Sequence, residues 1–128
     1  MKKIVILICF IFLVIGCKDN NKEVIANNTN KLSITKISCQ EMQALVKEGA
    51  ILIDVRELDE YDSGHLDNAI NISYTIIGDK IKDIVDDLDK DIIVYCKSGV
   101  RSNKAATTLK EVGYKKIYDL GSINNCNN

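Results

Sequence analysis

Short apolar runs alternate with stretches of helical spacing from residue 32 onward, and their order predicts an architecture. Residues 34–37 read as a strand, and Ser38-Cys39-Gln40-Glu41 behind it is a Ser-x-x-Glu capping box, in which two side chains satisfy free N–H groups at a helix start. Met42, Leu45 and Val46 give that helix one apolar face, and Gly49 ends it. Residues 50–55 are apolar almost without alternation, as expected of a strand covered by helices on both faces. A short strand fits residues 69–72. In residues 76–88, Ile77, Ile81, Ile84, Val85 and Leu88 recur at helical spacing with Asp and Lys between them, which predicts an amphipathic helix lying on the sheet. Residues 92–95 are the fourth strand, 103–111 a helix stopped by Gly113, and 116–120 the fifth strand. Five strands and four helices, three of them with definable bounds, make an α/β domain: a central five-stranded, mostly parallel sheet with helices on both faces.

Open sheets of this class hold their ligands beyond the carboxyl ends of the strands, and Asp54, Cys96 and Leu120-Gly121 all fall at such ends. Cys96-Lys97-Ser98-Gly99-Val100-Arg101-Ser102 follows the fourth strand directly and leads into a helix. A thiol placed there faces free backbone N–H groups and the positive end of the helix dipole, and both favour the thiolate. Lys97, Arg101 and Lys104 add positive charge, surroundings in which a cysteine's pKa falls well below its usual value. Gly99 allows the backbone to curl inward without a Cβ clash. The loop is thus a nucleophile cradle and a local anion site.

The amino-terminal quarter has a different pattern. Met1-Lys2-Lys3 precedes an apolar stretch over residues 4–15, then Gly16-Cys17 and a sharply polar tract. This has the layout of a signal peptide, and the apolar stretch is well short of the ~20 residues a membrane-spanning helix needs. Val14-Ile15-Gly16-Cys17 resembles the bacterial lipoprotein signal, which implies removal of residues 1–16, lipidation of Cys17, and an exported, membrane-anchored product. Residues 17–31, rich in Asn, Lys and Thr, then read as a flexible tether, and residues 32–128 as the folded domain. Losing Lys2 and Lys3 leaves 15 basic against 18 acidic residues, a mildly acidic domain around one basic loop, with no basic run to suggest nucleic acid.

Three motifs together resemble the single-domain rhodaneses, a family of sulfurtransferases. They are Ile53-Asp54-Val55-Arg56 with Glu60-Tyr61, then Gly64-His65-Leu66 with Ala69-Ile70-Asn71-Ile72, and finally Tyr95-Cys96-Lys97-Ser98-Gly99-Val100-Arg101-Ser102. The resemblance implies that Cys96 takes sulfane sulfur from thiosulfate or a related donor, holds it as a persulfide, and passes it to a thiol or cyanide. Lys97 and Arg101 would hold the sulfonate-like end of the donor, and N–H groups from Lys97 to Ser102 the persulfide anion. Ser98 and Ser102 fit either a bond to sulfur or a capping role. Asp54 and Arg56 are expected to brace the neighbouring loop or pair with Glu60, and His65 to be structural. No cofactor and no metal is implied, since His65 is the sole histidine and no Cys-x2-Cys spacing occurs.

Two rival functions remain at this point. One is a noncatalytic persulfide or thiol-redox carrier or sensor. The other is a dual-specificity phosphatase of related fold, whose loop is one residue longer, whereas Cys96 and Arg101 enclose four residues. The chain also departs from the family where many members carry a Gly-Gly-x-x-x-Trp-like tail. Here Gly121-Ser122-Ile123-Asn124-Asn125-Cys126 ends in a thiol, so Cys126 is a candidate sulfur acceptor or resolving thiol for Cys96, with Cys39 as a competing partner.

Overall fold

The computed structural model describes residues 33–127. The signal peptide over residues 1–16, lipidation at Cys17 and the tether over 17–31 fall outside the described residues. Within them lie five strands, β1 (Ile34–Lys36), β2 (Ile51–Asp54), β3 (Ile70–Asn71), β4 (Asp91–Cys96) and β5 (Lys116–Ser122). They form one sheet in the order β1-β5-β4-β2-β3, parallel at every pairing. The helices are α1 (Cys39–Lys47), α2 (Leu58–Asp62), α3 (Ile77–Ile84) and α4 (Val100–Val112), and a 3-10 turn spans Ile123–Cys126.

The predicted α/β class and five-stranded sheet are found, with β4 at the centre. Because side chains alternate along a strand, Ile92, Val94 and Cys96 enter one apolar layer, with Ile53, Val55, Ile81, Ala105 and Leu109. Ile93 and Tyr95 enter the other, with Met42, Leu52 and Leu120. Helices α3 and α4 therefore cover one face and α1 the other. The capping box opens α1 as expected: Glu41 N–H donates to Ser38 Oγ (3.3 Å) and Ser38 N–H to Glu41 Oε2 (2.7 Å).

Three boundaries differ from the sequence pattern. Helix α3 ends at Ile84 instead of reaching residue 88, because Val85 is already extended (φ −131°) and its carbonyl accepts the Tyr114 hydroxyl. Strand β3 shrinks to Ile70–Asn71. Helix α4 starts at Val100, three residues before the expected position, so Val100, Arg101 and Ser102 belong to its first turn. Its predicted stop holds, with Gly113 in the left-handed region (φ +117°).

Two features tie the carboxyl end of β5 to the rest. Between Val94↔Asp119 and Tyr95↔Gly121 the ladder skips Leu120, a bulge that brings Ser122 opposite Cys96. The buried Asp119 carboxylate stabilises it by accepting the Gly121 N–H (2.9 Å). Beyond the bulge, a cystine joins Cys126 to Cys39 across 87 residues, with Cα atoms 5.2 Å apart. Closing a loop of that length restricts the unfolded chain by about 4–5 kcal/mol on the chain-entropy account.

Candidate active site

Cys96 closes the central strand and is fully buried at 0% exposure. Its sulfur accepts the N–H groups of Gly99 (3.0 Å) and Ser102 (3.3 Å). Gly99 is the N-cap position of α4 and has no side chain to satisfy the helix start, so the cysteine sulfur takes the part usually played there by a Ser or Asp oxygen. The turn is possible because Gly99 sits at φ +95°, a region L side chains avoid. Burial pushes the Cys96 thiol up, but the N–H groups of Ser102, Gly99 and Ser98, together with the Ser102 hydroxyl, outweigh it and bring the pKa below its ordinary value. That hydroxyl also lies 3.1 Å from the Gly99 carbonyl and has one hydrogen to give.

The remaining loop residues are placed as follows. Lys97 and Ser98 are exposed, and the Lys97 carbonyl accepts the Ser122 hydroxyl (2.5 Å). Val100 is 61% exposed at the mouth of the helix. Arg101, expected to hold a donor anion, is instead bound in a fork by Glu60, Nη1 to Oε2 at 2.6 Å and Nη2 to Oε1 at 2.9 Å. The pairing holds the Glu60 carboxyl down at about 2 and raises Arg101 further. Both side chains are about a quarter exposed, which leaves the pair open to solvent on one side.

Asp54 and Arg56 pair with each other and not with Glu60. The Arg56 Nε and Nη2 donate to the buried Asp54 carboxylate at 2.7–3.1 Å, and Nη2 also donates to the Gly64 carbonyl (2.7 Å). Arg56 thereby braces the loop after α2, and Asn71 Nδ2 locks the same backbone by donating to the Asp54 and Arg56 carbonyls. Neither side chain approaches the sulfur through any of these bonds. His65 stacks on Tyr61, ring centroids 3.7 Å apart, with Nδ1 2.9 Å from the Tyr61 carbonyl oxygen.

Cys126, the candidate resolving thiol, is bonded to Cys39, and Cys96 is the free cysteine among the described residues. The reason is the sheet itself. Cys96 belongs to the layer under α4, while Cys39 and Cys126 pack against the layer under α1. All three cysteines lie near the carboxyl edge, but on opposite faces. The sequence pattern gives no sign of Asp119 and marks Gly121 and Ser122 only as a strand end and the start of the tail, yet all three shape the floor of the loop. The local signal is the isolated glycine at the end of a predicted strand, a usual mark of a bulge or a close backbone approach. A Cβ on Gly99 would lie 3.6 Å from the Gly121 Cα, so the two glycines pack backbone to backbone.

This geometry has known counterparts. The family model of the rhodanese-like domain matches residues 38–127, and the chain belongs to that family. It is 33% identical over 85 residues to the thiosulfate sulfurtransferase GlpE of Pseudomonas syringae, covering 66% of this chain and 78% of the relative. It is also 33% identical over 91 residues to a tRNA uridine(34) hydroxylase of Buchnera aphidicola, covering 67% of this chain but only 29% of that much longer relative. Among solved structures it is similar to a rhodanese with anions from E. coli, with a TM-score of 0.58, 31% identity, and coverage of 60% of this chain and 91% of that one.

Two outcomes follow from the ion pairs. Arg56→Met leaves the buried Asp54 carboxylate without its partner and should lower stability by about 3–5 kcal/mol in urea denaturation. Glu60→Gln should cost no more than about 1 kcal/mol at neutral pH, because the pair is part-exposed. The folded-state carboxyl of Glu60 is depressed, so its stabilisation is complete above about 4.5 and disappears as pH falls towards about 2. The stability gap between wild type and Glu60→Gln should therefore close across that window in acid denaturation followed by circular dichroism.

Proposed function

We propose that the chain is a sulfurtransferase in which the Cys96 thiolate attacks the outer sulfur of thiosulfate or a related donor. A Cys96 S–S bond forms, the S–S bond of the donor breaks, and sulfite leaves with the bonding pair. An acceptor thiolate or cyanide then takes the outer sulfur and regenerates the Cys96 thiolate. The observation that carries this reading is the pair of backbone N–H groups at 3.0 and 3.3 Å from the sulfur. They stabilise a thiolate before reaction and a persulfide anion after it, so no general base is required. The similarity to a named thiosulfate sulfurtransferase supports the choice of donor. Four residues between Cys96 and Arg101 make a cradle small enough for sulfur, which favours this reading over a phosphatase.

A second reading, a persulfide carrier or sensor that loads without useful turnover, draws on two observations: the resting sulfur is fully buried, and Arg101 is already engaged by Glu60. We propose in addition that Cys17 is lipidated after removal of residues 1–16 and anchors the domain, through residues 17–31, on the exported side of a membrane.

Thiosulfate-to-cyanide transfer by the full chain, with intact mass after donor exposure, separates the catalytic readings. Wild type should gain one sulfur and turn over; Cys96→Ser should lose both by at least a hundredfold. A single added sulfur without turnover selects the carrier, and no added sulfur from any donor removes both. For the anchor, expression in a bacterium with a clickable fatty acid should label wild type and leave Cys17→Ala unlabelled and uncleaved.

A further inference from the structure

The Cys39–Cys126 cystine stands apart from the sulfur-transfer chemistry, yet it has both an opening to solvent and a mechanical path to Cys96. Both cysteines are only partly buried, and they line a cleft of about 470 Å³ with Met42, Gln43, Lys47 and His65. That volume is within the range of small-molecule sites, and its walls offer two amides, an ammonium group, an imidazole and the Asp67 carboxylate beside apolar surface. A peptide-like thiol such as glutathione fits this chemistry. Cys96 lies on the other face of the sheet, so a thiol that reacts with this cystine arrives from outside the protein.

The path to Cys96 runs through a few covalent and hydrogen bonds. Cys126 is the last residue of the 3-10 turn Ile123–Cys126. That turn is capped by Ser122, whose Oγ accepts the Asn124 N–H at 3.1 Å. The same hydroxyl donates to the Lys97 carbonyl, and Asn125 Nδ2 donates to the Leu120 carbonyl (2.8 Å) at the bulge. Lys97 follows Cys96 directly, and the loop it opens supplies the N–H groups that hold the sulfur. The cystine fixes the far end of this short lever to α1.

We propose that Cys39–Cys126 is a thiol-exchange site for a peptide thiol entering the cleft, and that its opening re-aims the loop that holds Cys96. An external thiolate attacks one cystine sulfur; a mixed disulfide forms, and the other cysteine leaves as thiolate. A second external thiol attacks the mixed disulfide and departs as external disulfide. Two electrons pass from two thiols to the cystine, and the two cysteines end protonated or as thiolates according to pH. Once released, the 3-10 turn no longer holds Ser122 against Lys97, and the N–H donors lose their fixed aim at Cys96. The effect on sulfur transfer rests on the reading of Cys96 as nucleophile; the exchange and the change in the loop do not.

The full chain is equilibrated with glutathione and glutathione disulfide at graded ratios, trapped with iodoacetamide and mapped by peptide mass, so that each cysteine is read separately. Cys39 and Cys126 should become labelled together without denaturant and with unchanged far-ultraviolet circular dichroism. In the opened protein the pH midpoint of Cys96 alkylation should move upward and thiosulfate loading should slow at least threefold, both recovering on reoxidation. Ser122→Ala, with the cystine intact, should move the Cys96 midpoint in the same direction, which a merely structural cross-link would not require. Opening only in denaturant, loss of the dichroism signal on opening, or an unmoved Cys96 midpoint in the opened protein overturns the proposal. If the midpoint follows the redox state but Cys96 takes up no sulfur, the sulfurtransferase reading fails and the exchange site stands.

Discussion

Two backbone N–H groups aimed at one sulfur atom organise the carboxyl edge of this domain. For Gly99 and Ser102 to reach Cys96 together, the chain must turn within three residues of leaving β4 and be helical by Val100. That turn uses the left-handed backbone of Gly99, which packs beside Gly121 on β5, itself held at φ +78°. Gly121 in turn takes its position from the bulge that Asp119 stabilises. The sulfur, two glycines and a buried carboxylate thus follow one another in contact along this edge.

The two ion pairs of the site divide the work between rigidity and charge. Asp54 and Arg56 are both buried, and the cost of removing those charges from water is offset by the several bonds the guanidinium makes and by the Arg56 backbone N–H, which Asp54 also accepts at 3.0 Å. Their product is a fixed loop between α2 and β3. Glu60 and Arg101 lie nearer solvent and link α2 to the first turn of α4, so the helix start that cradles Cys96 is held from its outer side as well.

What could be read from the sequence followed the reach of each signal. Strands β2 and β4 are legible because sheets covered on both faces select continuous apolar runs, and α1 because its caps are local. The start of α4 is not legible, since Gly99 caps it without a side chain and a sulfur three residues earlier, at the end of a strand, replaces the missing oxygen. Helix α2 has five residues, too few to establish a period. Glu60 belongs to a legible motif, but its partner is 41 residues away and nothing local distinguishes Arg101 from Arg56. Cys126 stands out in the sequence as an unusual thiol at the correct edge of the sheet. Its face was not deducible, because a 3-10 turn after a bulge follows neither the strand period nor the helical one.

The cross-link between Cys39 and Cys126 also decides how the domain bears tension. Among the described residues, β2 to β5 and the four helices lie in the loop it encloses, and residues 33–38, with β1, and Asn127 lie outside. A pull applied between the two ends of the chain peels the three residues of β1 from β5 and then runs through two sulfur atoms. The other four strands, the helices and the cradle around Cys96 carry none of the load that then passes through the cystine, so the domain can be tugged by either end and keep its reactive edge in shape for as long as the cystine is closed.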